Sequence, residues 1–418
     1  MLFGGLALAI VGALAGCGAA GAGATTSNAR WPYQATSTPC AASIRHKLTL
    51  LNAGGQPLLP SARSVFVTVH NGGDYAMDGA LYAIDSGNGA LRWCVAFNHA
   101  PVPAPSGARS FPAPPSASPG AATYANGVVY VGVLDGGVFA FDATDGALRW
   151  SRQLHDLDLS QPTYANGALY LGSLDGVVYA LDAQTGAMRW QRQTPAHDYI
   201  GAPIVVVGSL AYVSSYGSAV YALDTTTGAI RWTFPTQGRV YQPAAVAGAL
   251  VYVGAGEGDG HFYAVDALTG KLRWSYASGY VINNAPTVAN GVVYVCNDAN
   301  LPSLFALDAD TGVLRWRYSF NAIGAGSTPL YANGALYLTG IGALAFDTQS
   351  HRLLWRNPLH NTQSQTESGP ILWQGALYLT RDDGITPTNN QLITLNAQTG
   401  ALQWSVTLIG DPIAPTLG

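Results

Sequence analysis

Tyr170-Leu171-Gly172, Val178-Tyr179-Ala180-Leu181-Asp182 and Thr185-Gly186-Ala187-Met188-Arg189-Trp190 form a line of residues that this chain repeats along its length. It stands earlier as Tyr130-Val131-Gly132, Val138-Phe139-Ala140-Phe141-Asp142 and Asp145-Gly146-Ala147-Leu148-Arg149-Trp150. In every copy an Asp or Asn lies eight residues ahead of a Trp: Asp85/Trp93, Asp142/Trp150, Asp182/Trp190, Asp224/Trp232, Asp266/Trp274, Asp308/Trp316, Asp347/Trp355 and Asn396/Trp404. The chain therefore contains eight units of about 42 residues, within the range of a four-stranded propeller blade.

Each unit has a physical reading. A short strand, often introduced by Pro (Pro162, Pro203, Pro243, Pro286, Pro329, Pro370), runs into a turn such as Ala165-Asn166-Gly167. Asn-Gly supplies the positive φ angles that a tight hairpin demands. A second strand, Ala168 to Gly172, reverses at Asp175-Gly176 into a third, and Asp182 to Gly186 makes the last hairpin. There the Asp accepts backbone N–H bonds and the Gly takes the left-handed conformation of a bulge. The closing Trp covers the neighbouring blade with a large apolar ring. His351 replaces the glycine in copy seven and Asn396 replaces the Asp in copy eight, so those two turns are expected to be less regular.

The fold class that follows is all-β: an eight-bladed β-propeller of four-stranded antiparallel blades. The first unit begins late, near Ser64-Val65-Phe66-Val67, and lacks an opening strand. Asp411-Pro412-Ile413-Ala414-Pro415-Thr416 resembles the Pro-Thr start of such a strand, so the C-terminal tail is expected to close the ring. Leu48 to Leu51 is the competing donor. The domain reading is residues 1–16 as a signal peptide, 17–60 as tether and arm, and 61–418 as the propeller. A Pro-rich insertion at 98–120 reads as an exposed extended loop, because proline cannot donate to a sheet.

Composition agrees with a sheet protein. Charged residues are 10% of the chain, Gly numbers 50, and Tyr (22) outnumbers Phe (11). The net charge is −4 with no basic cluster, which argues against nucleic acid, since phosphate neutralisation needs a basic patch. The first sixteen residues are almost wholly apolar and end at Cys17. Leu14-Ala15-Gly16-Cys17 resembles a bacterial lipobox, which implies cleavage before Cys17 and lipidation of its sulfur. The customary early Lys or Arg is missing, the first basic residue being Arg30. An extracytoplasmic protein held to a membrane or envelope by a lipid is the expected state. Cys40 and Cys94 are the disulfide candidates there, and Cys296 reads as an inert buried thiol.

The unit also resembles the repeat of the pyrroloquinoline-quinone (PQQ) propeller family, on residues such as Val220-Tyr221-Ala222-Leu223-Asp224-Thr225-Thr226-Thr227-Gly228-Ala229-Ile230-Arg231-Trp232. The likeness covers about residues 61–418. It implies fold far more than activity, because the repeat serves quinoprotein dehydrogenases, a propeller lipoprotein of outer-membrane β-barrel assembly, and sensor regions of kinases. Dehydrogenases of the family resemble one another in a vicinal Cys-Cys disulfide, Glu/Asn/Asp ligands for Ca²⁺ and an Asp base. This chain has no adjacent cysteines. No cofactor is expected, with PQQ and Ca²⁺ as the alternative.

Three functions follow: a non-catalytic scaffold, monomeric and partnered by envelope proteins, first; a PQQ/Ca²⁺-dependent dehydrogenase of alcohols or sugars, second; a ligand-binding sensor, third. The loops before the innermost strands converge on the propeller channel and offer Asp158, Ser160, Gln161, Arg239, Tyr241, Gln242, Asn283, Asn284, Ser327 and Glu367 as ligand candidates, against a reading as water-holding channel groups. His155-Asp156-Leu157-Asp158 and His197-Asp198 lack tight metal-ligand spacing, and Gly256-Glu257-Gly258-Asp259-Gly260 reads as a hairpin turn with too few oxygens for Ca²⁺. Eightfold recurrence marks the repeat Asp residues as turn caps and not as general bases. No nucleophile signature or phosphate-cradling loop is present.

Overall fold

The turn at the end of each repeat determines how the blades assemble. In the computed structural model, Asp224 Oδ1 accepts the backbone N–H groups of Thr226 and Thr227 at 3.0 and 2.9 Å, and Asp224 Oδ2 pairs with Arg231 at 2.6 Å. The same carboxylate-to-guanidinium pair recurs at Asp85–Arg92, Asp142–Arg149, Asp182–Arg189, Asp266–Arg273 and Asp308–Arg315. Gly228 stands at φ 67° directly against the Trp190 ring of the preceding blade, where an added Cβ would lie 2.6 Å from Cε3. With the turn so held, the carbonyl of Thr225 receives the Trp190 indole N–H at 2.9 Å and the Tyr170 hydroxyl at 3.4 Å.

This joint repeats around the molecule. Trp93, Trp150, Trp232, Trp274 and Trp355 donate their indole N–H to the carbonyls of Ala143, Ala183, Ala267, Ala309 and Ala397 in the next blade, at 2.8 to 3.0 Å. Trp316 lies against the His351 ring at 4.8 Å, and Trp404 lies over Gly89 of blade one. The structure describes residues 33–36, 63–70, 79–99, 120–133, 136–154, 159–297, 303–320, 327–340, 342–359, 369–381, 390–408, 411–412 and 415–418.

Eight blades form the ring. Blade four is typical: a short inner strand, Val205–Val207, pairs with Leu210–Ser215, then Ala219–Asp224, then the outer strand Ile230–Pro235. The two middle strands are buried throughout apart from their terminal Asp, while the outer strand alternates exposed and covered residues. Every apolar cluster spans two adjacent blades. Tyr212, Val220 and Trp232 of blade four meet Val251, Val253 and Val265 of blade five, and among the described residues no blade buries a core of its own.

Blade one departs from four strands. Its second strand, Ser64–His70, pairs with Asp411–Pro412 and Thr416–Leu417, in the register His70↔Asp411 and Phe66↔Thr416. Ser64 and Gly418 exchange both backbone bonds, at 3.2 and 3.0 Å. The tail therefore closes the ring, and Val65, Val67 and Tyr82 pack on Tyr378, Leu392 and Trp404 of blade eight. The competing segment Leu48 to Leu51 lies outside the described residues. At the other edge, Tyr33–Thr36 adds an outermost strand against Leu91–His99, so the sheet holds six strands. The repeat pattern gave no sign of that strand. It lies within the arm, and the blade-one outer strand reaches His99, two residues into the expected 98–120 insertion. The rest of that insertion falls almost wholly outside the described residues, as do residues 1–32.

The two turns expected to be irregular keep the common geometry. Asn396 Oδ1 accepts the N–H groups of Gln398 and Thr399, both at 3.0 Å, because an amide oxygen serves as well as a carboxylate here. His351 adopts φ 55°, and its ring takes the place beside Trp316 that glycine leaves open elsewhere.

Two predictions follow from these joints. Gly312 stands at φ 72° with a Cβ position 2.5 Å from Trp274, whereas Gly248, at φ 58°, has nothing within 4 Å. Gly248→Ala is expected to cost about 1–2 kcal/mol of backbone strain, and Gly312→Ala a further ~1–3 kcal/mol for displacing the indole, measured by urea unfolding. The second concerns acid. Hydrogen bonds from Arg273 and Arg315 hold the Asp266 and Asp308 carboxyls down at about 2, below their ordinary 3.8. A carboxylate with a depressed folded value stabilises above its unfolded value and loses that contribution as pH falls through the folded one. The urea midpoint should thus drop between about pH 4 and pH 2, and less so in an Arg273→Leu, Arg315→Leu double variant.

Candidate functional site

The blades present two faces. One carries the Asn-Gly and Asp turns just described. The other carries the loops that lead from each outer strand to the next inner strand, together with the turns between second and third strands. Most of the sequence-predicted ligand candidates lie on this loop face, and the structure divides them.

Ser160 and Ser327 are buried strand caps. Ser160 Oγ accepts the N–H of Gly172 at 2.8 Å, and Ser327 Oγ accepts that of Thr339 at 2.9 Å. Gln161 is an inter-blade bridge: its Nε2 donates to Ala122 O at 3.1 Å and to Thr123 Oγ1 at 3.3 Å, and Thr123 Oγ1 returns a bond to Pro162 O. Asn284 is buried beside a half-buried Asn283, and Gln242 is half-buried. Asp158 and Glu367 lie outside the described residues, as does the His155–Asp158 cluster. Among the described candidates, Ser160, Gln161 and Ser327 thus spend their polar groups on neighbouring backbone and side chains. Those buried at strand ends position the inner strands.

Arg239 and Tyr241 do come together with residues that sequence reasoning missed. Tyr216 follows the second strand of blade four, and its ring meets Tyr199 at 4.7 Å and Tyr241 at 4.8 Å, with interplanar angles of 66° and 81°. A hydrogen bond with Tyr241, then the charges of Glu257 and Asp198, raise the Arg239 guanidinium above its ordinary value. The Gly256–Gly260 stretch is the hairpin turn that the sequence suggested, and it braces this cluster. Asp259, its side chain wholly buried, accepts the Gln237 N–H at 2.9 Å, the Tyr263 hydroxyl at 2.9 Å and His261 Nδ1 at 2.7 Å. Burial, and then Asp259, push the Tyr263 phenol up. The signal available in the sequence was a break in the repeat: Tyr216 stands where blade two has Leu134 and blade three has Leu174.

On the turn face a cleft of about 470 Å³ opens between blades two and three, walled by Tyr130, Trp150, Tyr164, Arg149 and Arg189. Asn126 Nδ2 donates to Tyr164 OH at 2.8 Å, and the Tyr130 and Tyr164 rings stack at 6.2 Å. Blades six and seven repeat both features with Asn290, Tyr331 and Tyr294. The cleft is thus a product of blade packing.

The cysteines are placed in part. Cys94 is disulfide-bonded, and Cys296 is a free, wholly buried thiol that burial pushes up to about 12. The expected partner Cys40 lies outside the described residues. The Tyr33–Thr36 register ends at Thr36↔Ala96, two residues from Cys94. Lipidation of Cys17 also falls outside the described residues.

Among the described residues, no three His, Cys, Asp or Glu side chains gather to hold a metal ion, and the loop-face serines are committed to backbone N–H groups. No helix among the described residues is long and apolar enough to cross a membrane.

Eight blades joined by Trp-capped hairpins define a PQQ-repeat β-propeller. The chain belongs to the PQQ-repeat family described as outer membrane protein assembly factor BamB, whose model matches residues 77–201, 196–281, 243–368 and 303–417. Solved structures share the fold at low identity. BamB from Moraxella catarrhalis aligns with a TM-score of 0.57 at 17% identity, over 84% of this chain and 92% of that one. The quinohemoprotein alcohol dehydrogenase from Comamonas testosteroni aligns with a TM-score of 0.57 at 15% identity, over 69% of this chain and 66% of that one. The computationally designed Ika8 protein aligns with a TM-score of 0.60 at 14% identity, over 87% and 99%. No curated protein matches the sequence.

Proposed function

We propose that this chain is a non-catalytic scaffold of the cell envelope, monomeric, held to a membrane by a lipid on Cys17, with other envelope proteins as its partners. The family match along nearly the whole propeller, to a family described as an outer membrane protein assembly factor, carries this reading. Two features support it. The recurring Asp residues are consumed in turns and ion pairs, and the loop-face candidates Ser160, Gln161 and Ser327 are consumed in holding strands. The rigid ring leaves loops and outer strands as the surfaces on which partners dock.

A dehydrogenase would need a quinone site, and the absence of adjacent cysteines removes one element of it. Two experiments test the reading. Cys17→Ser should move the protein from the detergent phase to the aqueous phase in detergent partitioning. Crosslinking of the anchored protein in its native membrane, read by mass spectrometry, should recover the same envelope proteins reproducibly. Binding of PQQ with Ca²⁺ at micromolar cofactor, with dye reduction by alcohols or sugars, would contradict it.

A further inference from the structure

Scaffold residues recur from blade to blade, so a cluster that does not recur needs another explanation. The strip Tyr199, Tyr216 and Tyr241 is such a cluster. Its three rings come from the loop entering blade four, the turn inside blade four and the loop leaving it. Each of the three residues is half-buried.

The strip is held in place before any ligand arrives. A Cβ on Gly201 would lie 2.6 Å from the Tyr199 ring, and one on Gly256 would lie 2.4 Å from the Tyr241 ring. Glycine at both positions leaves the room that these rings occupy. Gly217 does the same for Asp198, whose Oδ2 sits 2.3 Å from the corresponding Cβ position. The buried Asp259 ties the loop through Gln237 N–H to the turn that carries Glu257, and Gly256 N–H donates to Arg239 O at 2.7 Å. Little ordering entropy remains to be lost on binding.

We propose that this strip is a binding site for a neutral oligosaccharide. Aromatic faces carry negative π density that attracts the C–H groups on one side of a pyranose ring. Sugar hydroxyls both donate and accept, which suits a border that among the described residues holds one guanidinium, Arg239, and two carboxylates, Asp198 and Glu257. The same border disfavours anionic ligands, because the acidic groups outnumber the cation. Asp198 and Glu257 both stand near enough for their charges to act on Arg239. Phosphate, nucleic acid and anionic lipid are therefore poorer fits than a polyol.

Titration calorimetry on the full-length protein in detergent, with cellohexaose and chitohexaose as probes, tests this. At least one should bind with a Kd on the order of 10 μM to 1 mM. Tyr216→Ala should weaken binding at least about tenfold, while Tyr216→Phe, which keeps the ring, should retain most of it. Leu268→Ala, at a 77% exposed position on the opposite face, should leave the Kd unchanged. The proposal is overturned if neither sugar binds at about 5 mM, several times the weakest expected Kd. It is also overturned if a correctly folded Tyr216→Ala protein binds as well as the parent. Loss of crosslinking to envelope proteins in Tyr216→Ala, with no sugar bound by the parent, would make the strip a protein contact instead and equally refute it.

Discussion

A single backbone carbonyl per blade, the one after the turn Asp, organises this molecule. It lies at a blade boundary, and at four of these boundaries it receives two donors from the preceding blade. Tyr130 and Trp150 converge on Ala183, Tyr170 and Trp190 on Thr225, Tyr212 and Trp232 on Ala267, and Tyr252 and Trp274 on Ala309. A buried carbonyl with two lone pairs is thereby satisfied while two large aromatic side chains leave water. The rest of the repeat serves that joint. Asp caps the turn so the carbonyl points outward, Arg neutralises the Asp, and Gly leaves room for the indole. His351 shows the rule in its exception: a side chain is admitted where it can stack on the Trp.

Because each blade is stabilised by its neighbours, the ring must close. The C-terminal strand does this beside Ser64–His70, and Tyr378 OH reaches Ser86 O at 2.8 Å, so the joint also bridges the ends of the chain. Blade one is also where the arm returns as Tyr33–Thr36, on the outer edge, with the disulfide-bonded Cys94 in the adjoining strand. An outer edge would otherwise present unpaired backbone groups, and here the chain covers it itself.

Eight blades, their four strands and the closing tail were legible in the sequence because repetition states the same physical demand many times over. The positions of Trp93 to Trp404 alone give the number of blades. Features stated once were not legible. Tyr33–Thr36 carries no repeat signature. Ser160 and Ser327 look like channel ligands until Gly172 and Thr339 are seen to use their hydroxyls. Tyr199, Tyr216 and Tyr241 lie in three different loops, and only the packing of blade four against its neighbours brings their rings together. Arg239 and Tyr241 were found from their place ahead of Pro243, but not the aromatic company they keep.

Each indole is a structural joint between blades, and Trp274 is the clearest instance, 8% exposed and bonded to Ala309 O at 2.9 Å. Urea unfolding of Trp274→Ala measures its contribution directly. A loss of about 3–5 kcal/mol in one cooperative transition is the expected result. A loss below about 1 kcal/mol, the size of an ordinary surface substitution, would contradict it.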